Sequence, residues 1–126
     1  MADPARTPGV ADPRVTQANI GSTICVSGYT ATVRPSTNYT NRLKVQQLAA
    51  DSRYVDRDPS HYEEDHAISL ELGGDPKAPR NLWPEPHPRS FATDTQENRL
   101  HADVCAGRET LTAAQAEIVK IKQTLG

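Results

Sequence analysis

The chain lacks any apolar run near the roughly 20 residues needed to cross a bilayer, so a soluble domain with no membrane partner is expected. It is poor in aromatics, with one Trp, one Phe and four Tyr, and its hydrophobic share is only 36%. A large core is thereby excluded, and loops should fill much of the structure. Positive charge is not in surplus either: the formal net charge is −2. Phosphate neutralisation drives sequence-independent DNA binding, so a dedicated binder of that kind would be clearly basic. An enzyme that touches a few phosphates and releases them is not excluded, and a bound metal would add charge that the count omits. No CxxC pair is present, which rules out a zinc knuckle. The opening MADPARTPGVADPR has no hydrophobic segment and is not a signal peptide. The expectation is a mature secreted domain, with a cytoplasmic or phage-encoded protein as the alternatives. Internal repeats are absent.

What is present fits one domain of 126 residues, broken often by ten prolines. Residues 1–14 offer almost nothing to bury and are expected to form a flexible arm, leaving 15–126 as the folded domain. The β-rich runs TICV and YTATV flank Ser27-Gly28, the pattern of an N-terminal β-hairpin. A short helix is expected over 39–50, with Tyr39, Leu43 and Ala50 on one face. An extended run follows Tyr62 and closes at Gly73-Gly74. A proline-broken loop then leads to Asn81-Leu82-Trp83, so residues 62–83 form a second hairpin. Helix is expected from about Ser90 to Cys105, stopped by Gly107. A last helix has Thr112 and Gln115 as a capping box and Leu111, Ile118, Val119 and Leu125 as its apolar side. Cys25 and Cys105 are either buried thiols or one disulfide from the first hairpin to the end of the late helix. The disulfide is the expectation carried forward, because a thin core gains about 2–4 kcal/mol from such a staple.

Two clusters carry candidate chemistry. Asp65-His66 is weak alone, since strand neighbours point to opposite faces and share a site only where the strand ends or bulges. Glu97 and His101 lie four apart on one helix face, with Asp94 on a neighbouring row, a spacing at which a carboxylate and an imidazole can share an ion. Order gives the clusters weight together: Asp-His, a turn, Asn81, then a helix with Glu and His is a strand–strand–helix unit.

That unit, residues 62–105, resembles the HNH (ββα-metal) endonucleases. The blocks EEDHAISLELGG, RNLWPEP and ENRLHADVCAG are similar to those of a small actinobacterial group identified as HNH endonucleases, and so is the stretch VTQANIGSTICVSGYTATVRPSTNYTNRLK. The resemblance implies an α+β fold with a ββα-metal core inside one HNH-like nuclease domain. It implies that His66 is the general base, Asp65 a metal ligand, and Asn81 the residue that orients the base. Many members place a histidine about nine residues after the asparagine, which falls here at Arg89. Of the remaining candidates, Glu97 and His101 on the helix are preferred to His87 in a Pro-His-Pro stretch, because a rigid element holds ligands better. A lysine expected before Asp94 is Thr93 here. Arg80, Arg89 and Arg99 flank the site and could clamp phosphates.

The expected activity is metal-dependent hydrolysis of phosphodiester bonds in DNA, with RNA as a further substrate and a monomer as the acting form. A histidine titrates where a water nucleophile must be made, and one divalent ion (Mg, Mn, Ni or Zn) would stabilise the leaving group. The alternative is an idle, metal-stabilised binding or structural module of the same fold. Low positive charge and Thr93 favour it; the Asp65-His66/Asn81 set favours the enzyme.

Overall fold

A computed structural model describes residues 1–87 and 90–125, and all their side chains except those of Ser90 and Phe91. The fold is α+β. Its sheet has two antiparallel strands, β1 (Tyr62–His66) and β2 (Leu82–Pro86), in register from Tyr62 opposite Pro86 to His66 opposite Leu82. Four α-helices lie among the described residues: α1 (Tyr29–Val33), α2 (Thr37–Ala50), α3 (Ser90–Cys105) and α4 (Leu111–Thr124).

Two prolines in a five-residue strand need an explanation, since proline cannot donate to a ladder. Pro84 and Pro86 are two apart, so both turn their missing donor the same way. His87 N–H donates to the His61 carbonyl at 3.0 Å, which shows that the odd-numbered donors face β1. The prolines therefore lie on the outer edge, where no strand follows. That edge is capped by side chains: Gln47 Nε2 donates to the Leu82 carbonyl at 2.8 Å and the Tyr54 hydroxyl to the Pro84 carbonyl at 2.8 Å. Lys44, also on α2, donates to the Tyr62 carbonyl at 3.0 Å, so α2 is laid across the hairpin by polar contacts. Of its residues only Leu48 is buried, not the Tyr39, Leu43 and Ala50 face expected from periodicity.

The apolar core lies between α3, α4 and the segment after β1. Leu72, Leu100, Val104, Ala114 and Ile118 are fully enclosed, with Val15, Ile24, Ile68 and Leu111 around them. Cys25 and Cys105 are joined in a disulfide across 80 residues of chain, a closure worth about 4.5 kcal/mol in the chain-entropy account. Gly107, at φ 77°, follows α3 as its stop. The cap of α4 is Thr110, whose hydroxyl accepts from Ala113 N–H, not Thr112. Gln115 is instead buried and donates to the Leu72 carbonyl at 2.9 Å.

Two expectations are corrected. The segment expected as an N-terminal hairpin, residues 23–33, is instead a run of turns that follows the 3-10 helix Gln17–Ser22 and leads into α1. Gly28, at φ 83°, does not join two strands but caps α1. β-propensity is a weak prior, and here Ile24 in the core and the Cys25 link override it. Residues 1–14 are not a free arm either. Ala2 N–H donates to the Lys122 carbonyl at 3.0 Å, Gly9 N–H to Arg80 at 3.2 Å and Asp12 N–H to Gly73 at 2.8 Å. These are backbone contacts, which composition does not reveal.

Candidate functional site

β1 ends at His66, so the alternation that would separate Asp65 from His66 ends with it. Both line a polar cavity of about 270 Å³ with Glu63, Glu71, Asp94, Glu97 and, from the end of α1, Arg34. The segment that follows is held by Asn81, which is fully buried and uses all four of its hydrogen-bonding positions. Its Oδ1 accepts from Ile68 N–H at 2.9 Å and Val10 N–H at 3.0 Å. Its Nδ2 donates to the Ile68 carbonyl at 3.1 Å and the Asp75 carbonyl at 3.0 Å. Gly74 belongs to the same arrangement: a Cβ there would lie 1.7 Å from the Ile68 carbonyl oxygen, so no other residue fits.

The imidazole of His66 is fixed by the next residue along. Nε2–H donates to the Pro76 carbonyl at 3.0 Å, which leaves Nδ1 as the acceptor of the neutral ring. Burial holds the His66 pKa below its ordinary value, with Lys122 and Arg34 adding to the effect and Pro76 and Asp65 opposing it. Asn81 thus acts on the backbone two residues past His66 and one residue before Pro76, and does not touch the ring.

Asp65 and Glu97 do come together, through a residue the sequence reading did not single out. The ammonium of Lys122, on α4, bridges Asp65 Oδ2 and Glu97 Oε1, the latter at 2.6 Å, and its side chain is 1% exposed. Its third donor reaches the His66 carbonyl at 3.2 Å. Desolvation alone would lower the Lys122 pKa, but the two carboxylates outweigh it and raise it. Burial pushes Glu97 up to about 7, partly offset by Lys122. Glu85, fully buried on the same sheet face as Asp65, is pushed by burial and by its hydrogen bond with Asp65 up to about 9. No protein donor reaches either Glu85 oxygen.

His101 is elsewhere. Its Nε2 meets the Ile24 carbonyl at 2.8 Å, and it lines a separate cavity with Cys25 and Tyr29. The set Asp65, Glu97 and His101 is therefore not assembled, and no group of three or more His, Cys, Asp or Glu suited to a metal occurs among the described residues. The helical spacing was sound, but an i, i+4 pair diverges at its tips when one member packs inward against another segment. Of the arginines, Arg99 is tied to Glu117 at 3.0 Å and Asp103 at 3.6 Å, and Arg80 lines a different cavity beside Arg6 and Trp83. Arg89 lies outside the described residues. His87 is exposed and does not line the His66 cavity.

Lys122, Glu85 and Arg34 are the site residues that sequence reasoning missed. Lys122 had a signal: with Leu111, Gln115 and Ile118 it continues the buried stripe of α4, and a lysine in such a stripe demands a partner. Glu85 had a weaker one, a carboxylate between two prolines of a strand. No family model matches this chain, and neither a curated protein nor a solved structure matches it.

Proposed function

We propose that this protein hydrolyses phosphodiester bonds of nucleic acid, DNA foremost, with His66 as the general base of an HNH-like strand–strand–helix site. One observation carries the reading: His66, held in one tautomer by the Pro76 carbonyl, lines a polar cavity together with Arg34, which forms no ion pair among the described residues. Nδ1 takes the proton of a water, the water oxygen attacks phosphorus, and the bond to the leaving oxygen breaks. The Arg34 guanidinium faces the phosphoryl oxygens, a pairing suited to its planar donors. Glu71 lines the same cavity and burial raises its pKa, so an acid is at hand for the leaving oxygen.

The resemblance implies a divalent ion, but the donors do not fit one as they stand: Asp65 and Glu97 are already held by Lys122, and His101 is turned away. The same lysine favours a second reading, a structural module with an idle base. The Cys25–Cys105 disulfide suits an oxidising compartment, which supports the secreted setting.

Plasmid DNA and single-stranded RNA, incubated with and without Mg, Mn, Ni or Zn, separate the two readings. Cleavage by wild type and a loss of about 10²–10⁴-fold in His66→Ala are expected. Because the base is neutral only above its pKa, and that pKa is lowered, the rate should hold as pH falls to 6.5 and drop only below it. Absence of cleavage under every condition would establish the module, and equal cleavage by His66→Ala would remove His66 from the mechanism.

A further inference from the structure

Lys122 is enclosed to 1% exposure, and its three N–H donors are committed to Asp65, Glu97 and the His66 carbonyl. A divalent ion shared by Asp65 and Glu97 would have to lie within about 2.0–2.6 Å of an oxygen of each. That is the space between the two carboxylates, and the ammonium is already in it. Its position is not incidental. The stem of Lys122 leaves α4 on the side that buries Leu111, Ala114 and Ile118. The Lys122 carbonyl also holds Ala2 N–H at 3.0 Å, so the N-terminal segment closes over the base of the side chain. An ion entering between the carboxylates would displace a buried cation from both of its ion-pair partners, which is costly.

We propose that Lys122 is the resident cation of this site, built into the chain at the place where the resemblance puts a divalent ion, so that Asp65 and Glu97 share the protein's own ammonium and not a metal. Glu85, fully buried on the same sheet face as Asp65, packs beside the same unit. The inference concerns what holds the site together, and it stands whether or not the chain cleaves nucleic acid.

Calorimetric titration of Mg, Mn, Ni and Zn into wild type, with melting in EDTA beside melting in each ion, tests it directly. The expected result is no saturable binding that depends on Asp65 or Glu97, and no shift in melting temperature. Lys122→Ala should melt lower in EDTA and acquire one divalent site, with melting raised by that ion. Asp65→Asn added to Lys122→Ala should abolish the gain. One ion bound by wild type and lost in Glu97→Gln would overturn the proposal. So would a folded Lys122→Ala that takes up no ion, since the gap would then not be a cation site. Where Lys122→Ala folds only when an ion is supplied, the exchange is demonstrated; where it does not fold at all, the wild-type titration decides.

Discussion

Two charge clusters of four side chains each in this molecule have opposite physics. Near the N-terminus, Arg53 meets Asp51 at 2.5 Å and Asp3 at 2.8 Å, while Arg6 lies 3.7 Å from Asp51. Two cations face two acids, and the arginine side chains are 56% and 58% exposed. Behind His66, one cation at 1% exposure faces Asp65 and Glu97, with Glu85 beside them. The wet cluster balances by charge, and its arginine, through a side-chain hydrogen bond, pulls Asp51 down to about 2. The dry cluster has too few cations to do that, so burial pushes Glu97 and Glu85 up instead and protons make up the difference. An ion pair thus means opposite things about titration, depending on how many cations face the acids and whether water reaches those cations, since Asp51 itself is only 8% exposed.

The largest expected difference is in stability. Lys122→Met leaves Asp65 and Glu97 facing each other without a cation and should cost about 3–5 kcal/mol in urea unfolding. A cost below about 1 kcal/mol would mean that the buried cluster behaves like the surface one.

The second difference is one of sign. Glu85 and the half-buried Glu64, whose carboxylate oxygens are also enclosed without a protein donor, rise from 4.5 to about 9 and about 8. Their folded forms hold protons that the unfolded chain has lost, so stability is greatest below 4.5 and falls as pH rises toward 9. Asp51 is shifted the other way, so its contribution is present above 3.8 and is lost as pH falls toward 2. Glu85→Gln should flatten the alkaline decline by a few kcal/mol and leave the acid limb alone, a tenfold change in proton affinity being worth about 1.4 kcal/mol. An unchanged alkaline limb would show that Glu85 is charged in the folded protein.

The smallest effect belongs to the wet cluster. Arg53→Ala should change the unfolding free energy by less than about 1 kcal/mol at neutral pH, because solvent screens exposed pairs. A loss comparable to that of Lys122→Met would erase the distinction.

The same division governs what could be read from residues alone. Patterns governed by neighbours in the chain were legible: α3 with Gly107 behind it, α4 by its apolar stripe, and two short strands around a glycine-closed loop. The Asp65-His66, Asn81 and Glu97 positions stand out for the same reason, since each is a residue type at a fixed spacing. Three-dimensional closure decided the rest. Backbone bonds from residues 2–12 to Arg80, Gly73 and Lys122 turned an apparent arm into part of the body, and the Cys25 link with Ile24 turned an apparent hairpin into a helical turn. His101 shares a helix face with Glu97, yet it bonds the Ile24 carbonyl, 77 residues away in the chain. Lys122 reaches Asp65 across 57 residues. Spacing along the chain determines which residues share an element and a face. Which of them meet, and whether a cation or a proton settles their charge, depends on burial, and burial is a property of the packed whole.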